Sequence, residues 1–293
     1  MKLGLGTVQF GLDYGVSNRG AKTPLSEVVR ILRLAASSGI RVLDTAAGYG
    51  ESETVLGCSL PEQHDFAIVT KTPTLRADAI DDHHIERVRE SFQRSLTLLK
   101  QDSLYCLLVH RAEDLLSTQG ERLMQTLLEF KHQGLIQKVG VSVYNAAQID
   151  AVLARHPLDL VQLPVNVFDQ RLIGSGHLAK LKRAGIEIHV RSVFLQGLLL
   201  MPQDAVPAYF APIRGHLAKY REFQKSAGLT TLQASLGFVM SVPEMDHVIV
   251  GVNTAEQLQE ILAVGTVPVD AQFMAQFALT DPAMLEPWLW KLA

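Results

Sequence analysis

Short apolar runs alternate with longer segments of helical period along this chain. Eight runs have strand character: residues 3–7, 40–44, 66–71, 104–110, 138–142, 160–162, 186–190 and 247–250. Between them, apolar side chains recur every three to four residues, the spacing of one helix face. Val28, Ile31, Leu32 and Ala35 form such a stripe in a helix predicted over 24–38. Thr23 is the expected N-cap, Pro24 the first helical residue and Gly39 the stop. Ile85, Val88, Phe92, Leu96 and Leu99 form a second stripe over 82–100, with His83 and His84 near its exposed start. Further helices are predicted over 51–57, 122–132, 146–154, 176–184, 213–226, 231–241 and 255–262.

Several strands are apolar without interruption, such as Leu107–Leu108–Val109 and Val248–Ile249–Val250. Strands of a parallel sheet look like this, because both of their faces are buried. Eight strands alternating with helices over 293 residues predict an α/β chain of the (β/α)8 TIM-barrel type. An open, doubly wound sheet of six or seven strands is the alternative. The alternation lapses over residues 191–229, which reads as a loop and extra helix inserted after strand seven. Long insertions of this kind more often cover a ligand than form a domain. The chain is therefore expected to be one barrel domain spanning 1–293.

Composition removes several function classes. Net charge is −3 with both signs dispersed, so no basic nucleic-acid footprint is expected. No apolar run reaches the length of a membrane span. The start, MKLGLGTVQFG, lacks the apolar core of a secretory leader, so a cytoplasmic protein is expected. Cys58 and Cys106 are then expected as a reduced, structural pair. There is no CxxC or HExxH, and the histidine spacing suggests no metal.

In a TIM barrel the strands' C-terminal ends build the active site. The predicted strands end in functional groups: Asp44, Lys71, His110, Ser142, Gln162 and Arg191. Each alone is ordinary, as a helix cap, a surface charge or a satisfied core histidine. Their arrival on successive strands is not, because charge at a barrel mouth needs partners to offset desolvation. The set fits carbonyl reduction, in which oxygen gains negative charge and then a proton. Tyr49 could supply that proton if Lys71 drew its pKa from about 10 toward neutrality. Asp44 would hold Lys71, and a neutral His110 could polarise the carbonyl.

Asp44, Tyr49, Lys71 and His110 resemble the catalytic tetrad of the aldo-keto reductases in motif and chain order. LDTAAGYG, VTK and LLVHR resemble that family's second, third and fourth strand motifs, and GVSVYN, RSVFLQGLL and VIVGVNTAEQLQEIL continue the likeness. The resemblance implies an NADPH-dependent reductase, NADH being the other candidate, acting on an aldehyde, a ketone, a sugar or a sugar derivative. It implies Tyr49 as proton donor, with Lys71 and Asp44 tuning it and His110 orienting substrate. Ser142 and Gln162 would hold the nicotinamide carboxamide, with Thr7 at the end of strand one also on the cofactor's path. Ser192, Leu195, Gln196 and Gly197 would line the pyrophosphate loop, and Gly251, Asn253, Thr254, Gln257 and Glu260 the adenosine end. A monomer or small homo-oligomer is expected.

Three positions depart from the family. Val143 replaces the Asn that usually follows the strand-five Ser. Arg191 stands where an aromatic residue usually stacks on the nicotinamide. Gly251 and Gln257 replace the basic residues that many members turn to the cofactor's 2′-phosphate, so a basic residue elsewhere would have to make that contact. The N-terminal GLGTVQFG begins a dinucleotide fingerprint, but Gln9 occupies its last glycine position. The short tail, EPWLWKLA, and Arg191 suggest an open pocket able to take a bulky substrate. Two other readings remain: a nucleotide-sensing regulatory subunit with little turnover, and a barrel enzyme using Lys71 as a Schiff-base nucleophile.

Overall fold

The computed structural model describes every residue except Met1, Arg19, Ala21, Thr266, Pro268 and Ala293. Eight parallel strands, β1 (Leu3–Gly6), β2 (Val42–Asp44), β3 (Ala67–Lys71), β4 (Leu104–Val109), β5 (Ile136–Ser142), β6 (Leu160–Pro164), β7 (Glu187–Arg191) and β8 (His247–Gly251), close in sequence order into a barrel. The eighth pairs with the first, Gly4 opposite Ile249 and Gly6 opposite Gly251. The TIM-barrel expectation therefore holds and the open sheet does not.

Strand alternation sorts the core into two sets. Leu43, Ile68, Leu107, Val161, Ile188 and Val248 pack outward against the helical ring. Val42, Val69, Cys106, Leu108, Leu160 and Ile249 form a separate cluster in the lumen. Asp44, Lys71, His110 and Gln162 each follow a lumen residue by two positions, so the same alternation carries them to the mouth above that plug.

The helix at Leu25–Ser37 buries the anticipated stripe of Val28, Ile31, Leu32 and Ala35. Its cap is a correction: Pro24 is the N-cap, and the Thr23 hydroxyl is buried without a partner. Gly39, with φ +81°, turns the chain after the helix toward β2. The helix at Asp82–Leu99 starts with a capping box between Asp81 and His84. The inserted region holds short 3₁₀ turns before a helix at Arg214–Ser226. Both cysteines are free, Cys106 buried and Cys58 exposed.

The foot of the lumen is polar. Glu187 accepts from Tyr105 Oη at 2.7 Å and pairs with Lys138 and His189. Sequence spacing concealed that β7–β8 register sets His189 opposite His247, grouping them with Glu187 within 4.8 Å. Because Lys138 and Tyr105 already occupy the carboxylate, this cluster reads as a structural plug.

Candidate active site

Lys71 is the buried centre of the mouth, 1% exposed. Its ammonium donates to Asp44 Oδ1, Asp44 Oδ2 and Thr45 O, each at 2.8 Å. All three N–H groups are thereby used. Burial pushes its pKa down and the Asp44 charge resists that shift. An ammonium locked in this way has no free lone pair, which removes the basis for a Schiff-base nucleophile. Asp44 accepts a further bond from Gln162 Nε2 at 2.7 Å.

Tyr49 and His110 lie above this pair. The Lys71 ammonium is 4.9 Å from the Tyr49 ring centroid, and the His110 ring meets Tyr49 edge-on at 5.9 Å. The expected fall in the Tyr49 pKa is not found. Burial, then the Asp44 charge, push the phenol well above its ordinary range, with Arg191 acting against them. The Asp44 carboxylate paired with Lys71 offsets the pull of its ammonium on the phenol. The resting phenol therefore keeps its proton. His110 is held neutral: burial first, then Lys71 and Arg191, take its pKa down to about 3. The mouth thus presents a protonated phenol beside a neutral imidazole, both able to donate toward an oxygen that gains charge.

The remaining candidates separate. Ser142 and Gln162 sit in register at the ends of β5 and β6, and Gln162 Oε1 is buried with no partner. That acceptor suits an amide N–H of a nicotinamide carboxamide. Arg191 lies over the Tyr144 ring at 4.2 Å. Ser192, Leu195, Gln196 and Gly197 all have positive φ, forming a tight loop after β7. Gln196 O accepts from Val16 N at 2.9 Å and its side chain reaches Tyr14 Oη, pinning the loop to the segment after β1. Leu195 is fully buried.

Thr7 departs from its expected role on the cofactor's path. It is fully buried and bonds Asp44 O at 3.0 Å and Ser52 Oγ at 2.9 Å, so it positions β2 and the helix at Ser52–Ser59. Thr254 caps the helix at Ala255–Ala263, while Gln257 accepts from Asn253 N at 2.7 Å. Gly251, Gln257 and Glu260 are exposed. Arg30 meets this helix start, paired with Glu256 at 2.5 Å and Glu27 at 2.8 Å.

Sequence reasoning did not single out Tyr14, Tyr144, Trp288 or Arg171. Arg171 grips Asp169 and Glu286, and Glu286 accepts from Trp288 Nε1 at 3.1 Å. Trp288 then meets Tyr144 edge-on at 6.4 Å, which brings the tail to the mouth's rim. No local motif marks this contact, because its members come from three distant segments. A cavity of about 480 Å³ beside residues 59–66 shares no residue with this site and opens near the starts of β2 and β3.

The chain is similar to known proteins along nearly its whole length. The Aldo/keto reductase family matches residues 2–280. Aldo-keto reductase YhdN of Bacillus subtilis (strain 168) is 29% identical over 178 residues, 58% of this chain and 52% of that protein. The matched stretch thus spans about half of that relative's length. L-galactose dehydrogenase of Arabidopsis thaliana is 26% identical over 94% of this chain and 90% of its own. The holo form of an aldo-keto reductase from Bacillus halodurans shares the fold, with TM-score 0.77 and 19% identity over 95% of this chain and 92% of that one. The chain belongs to the aldo/keto reductase family.

Proposed function

We propose that the protein reduces an aldehyde or ketone to the alcohol, with Tyr49 as proton donor and NADPH as cofactor, NADH being the alternative. The observation that carries this reading is the protonated phenol of Tyr49 beside neutral His110, over a saturated Asp44–Lys71 pair. The cofactor supplies the hydride. His110 and Tyr49 donate hydrogen bonds to the carbonyl oxygen, polarising it and fixing its carbon. As negative charge builds on that oxygen, the Tyr49 proton moves to it. Lys71, fixed by Asp44 beneath the ring, stabilises the phenolate left behind. Solvent then returns the proton.

Ser142 and the unpartnered Oε1 of Gln162 would hold the carboxamide. The loop with Ser192, Gln196 and Gly197 would hold the pyrophosphate through backbone N–H groups, and Asn253 and Thr254 would flank the adenosine. Arg30 is the cation available to a 2′-phosphate, although Glu27 and Glu256 neutralise much of its charge. Trp288, 65% exposed, and Tyr144 form an aromatic rim suited to a sugar or other extended carbonyl compound. The test is loss of nicotinamide absorbance with NADPH and then NADH across simple aldehydes, ketones and sugars, with Tyr49→Phe as control. Turnover by the wild type and none by the variant supports the reading. Cofactor binding with no turnover of any carbonyl would favour a regulatory subunit instead.

A further inference from the structure

Arg191 ends β7 two residues beyond His189, which is in register with Gln162. The guanidinium therefore stands one inward-facing step above the carboxamide candidates. Its plane is fixed. Nη2 donates to Val143 O at 3.1 Å, Nη1 to Ser192 Oγ at 3.4 Å, and the Tyr144 ring covers one face at 4.2 Å. Among the described residues no carboxylate comes within 4.0 Å of it. Lys71 differs, since Asp44 matches its charge directly. The mouth thus holds one matched cation and one unmatched one. The unmatched charge reaches the reacting groups, opposing the rise in the Tyr49 pKa and adding to the fall in that of His110.

The geometry points to Arg191 as the residue that discriminates between the two redox states of the nicotinamide, favouring the reduced ring. The inference rests on the carbonyl-reductase reading above. In that reaction a hydride, one proton with two electrons, leaves the reduced ring and bonds to the carbonyl carbon. The ring passes from neutral to singly positive. The carbonyl π bond breaks, and its electron pair on oxygen takes the Tyr49 proton. A fixed guanidinium beside Ser142 and Gln162 repels the cationic ring and leaves the neutral one in place. An aromatic side chain at this position would carry no such bias. The consequences are a resting enzyme loaded with reduced cofactor and fast departure of the oxidised form.

The experiment is an equilibrium titration of the whole protein with NADPH and with NADP⁺, followed by calorimetry, for wild type, Arg191→Lys, Arg191→Met and Arg191→Gln. The readout is the ratio of the two dissociation constants, which needs no turnover. Wild type is expected to bind NADPH at least tenfold more tightly, and the neutral variants to lose about tenfold of that ratio, or about 1.4 kcal/mol. Arg191→Lys keeps the charge and is expected to keep most of the ratio. The two neutral variants differ in shape, so folding of either one suffices. A ratio unchanged in a folded neutral variant overturns the inference while cofactor binding stands. Equal loss of affinity for both forms also overturns it, because that is the mark of a merely structural residue. Failure of the wild type to bind either form overturns the reductase reading together with it.

Discussion

Gln162 on β6 donates from Nε2 to Asp44 Oδ1 on β2 at 2.7 Å, joining strands that lie across the barrel from each other. The bond orients both residues at once. It commits the Gln162 amide nitrogen to Asp44 and leaves the buried Gln162 Oε1 without a hydrogen-bond partner. The proton-handling and carboxamide-holding parts of the mouth thus share one anchor.

Lys71→Met should test that anchor. The substitution leaves the Asp44 carboxylate, 5% exposed, with Gln162 alone for support. Removing one partner of a buried pair costs about 3–5 kcal/mol. Urea unfolding should show a loss of that order, and Asp44→Asn added to Lys71→Met should recover much of it. If the double variant is no more stable than Lys71→Met, the uncompensated charge is not the cause.

The acid response follows from two histidines. His110 is held down to about 3 and His247 to about 4, both chiefly by burial, against an ordinary value of 6.5. Both pKa values are depressed, so the unfolded chain binds more protons than the folded one between those limits. Stability is therefore full above about 6.5 and falls as pH drops, by about 1.4 kcal/mol per pH unit for each histidine. His110→Gln should remove one such contribution from unfolding curves measured across this window. Turnover should show no histidine inflection near neutrality, because His110 stays neutral there.

Much of this was legible in the chain. Uninterrupted apolar strands and their polar last residues located the barrel and its mouth, because β periodicity ties Val42 to Asp44 and Val69 to Lys71. Thr7 could not be placed this way. Its hydroxyl bonds Asp44 O and Ser52 Oγ, contacts that only the assembled fold brings together. The protonated state of Tyr49 was likewise hidden, since it depends first on tertiary burial of the ring and then on the nearby Asp44 charge. The plug of Glu187, His189 and His247 needed the β7–β8 register, and the tail contact of Trp288 needed tertiary packing.

Gly197→Ala should unseat the loop after β7. Gly197 has φ +89°, and an added Cβ would stand 1.9 Å from Ser17 Oγ and 2.8 Å from Ser17 Cβ. Backbone strain alone costs about 1–3 kcal/mol. Melting temperature and affinity for NADPH should both fall. Adding Ser17→Gly relieves the collision and not the φ strain, so it should restore only part of the loss. Full restoration would show that the left-handed conformation costs nothing here.

Arg171→Met should reveal whether the rim is held from behind. Arg171 bonds Asp169 at 2.8 Å and 2.9 Å and Glu286 at 2.9 Å, and both carboxylates are nearly fully buried. Without the guanidinium they face each other unpaired, at a cost of about 3 kcal/mol or more. Burial already raises the Asp169 pKa with Arg171 present, and losing that cation raises it further. A carboxyl with a raised folded pKa stabilises the fold when protonated and loses that contribution as pH rises. The variant's deficit in unfolding free energy should therefore be largest at mildly alkaline pH and shrink under mildly acidic conditions. With Glu286 released from Arg171, the tail that carries Glu286 and Trp288 should shift away from Tyr144, so KM for an extended carbonyl substrate should rise while that for a small aldehyde holds. A deficit independent of pH, with both KM values moved alike, would mean that Arg171 acts by packing and not as the cation that ties the tail to the mouth.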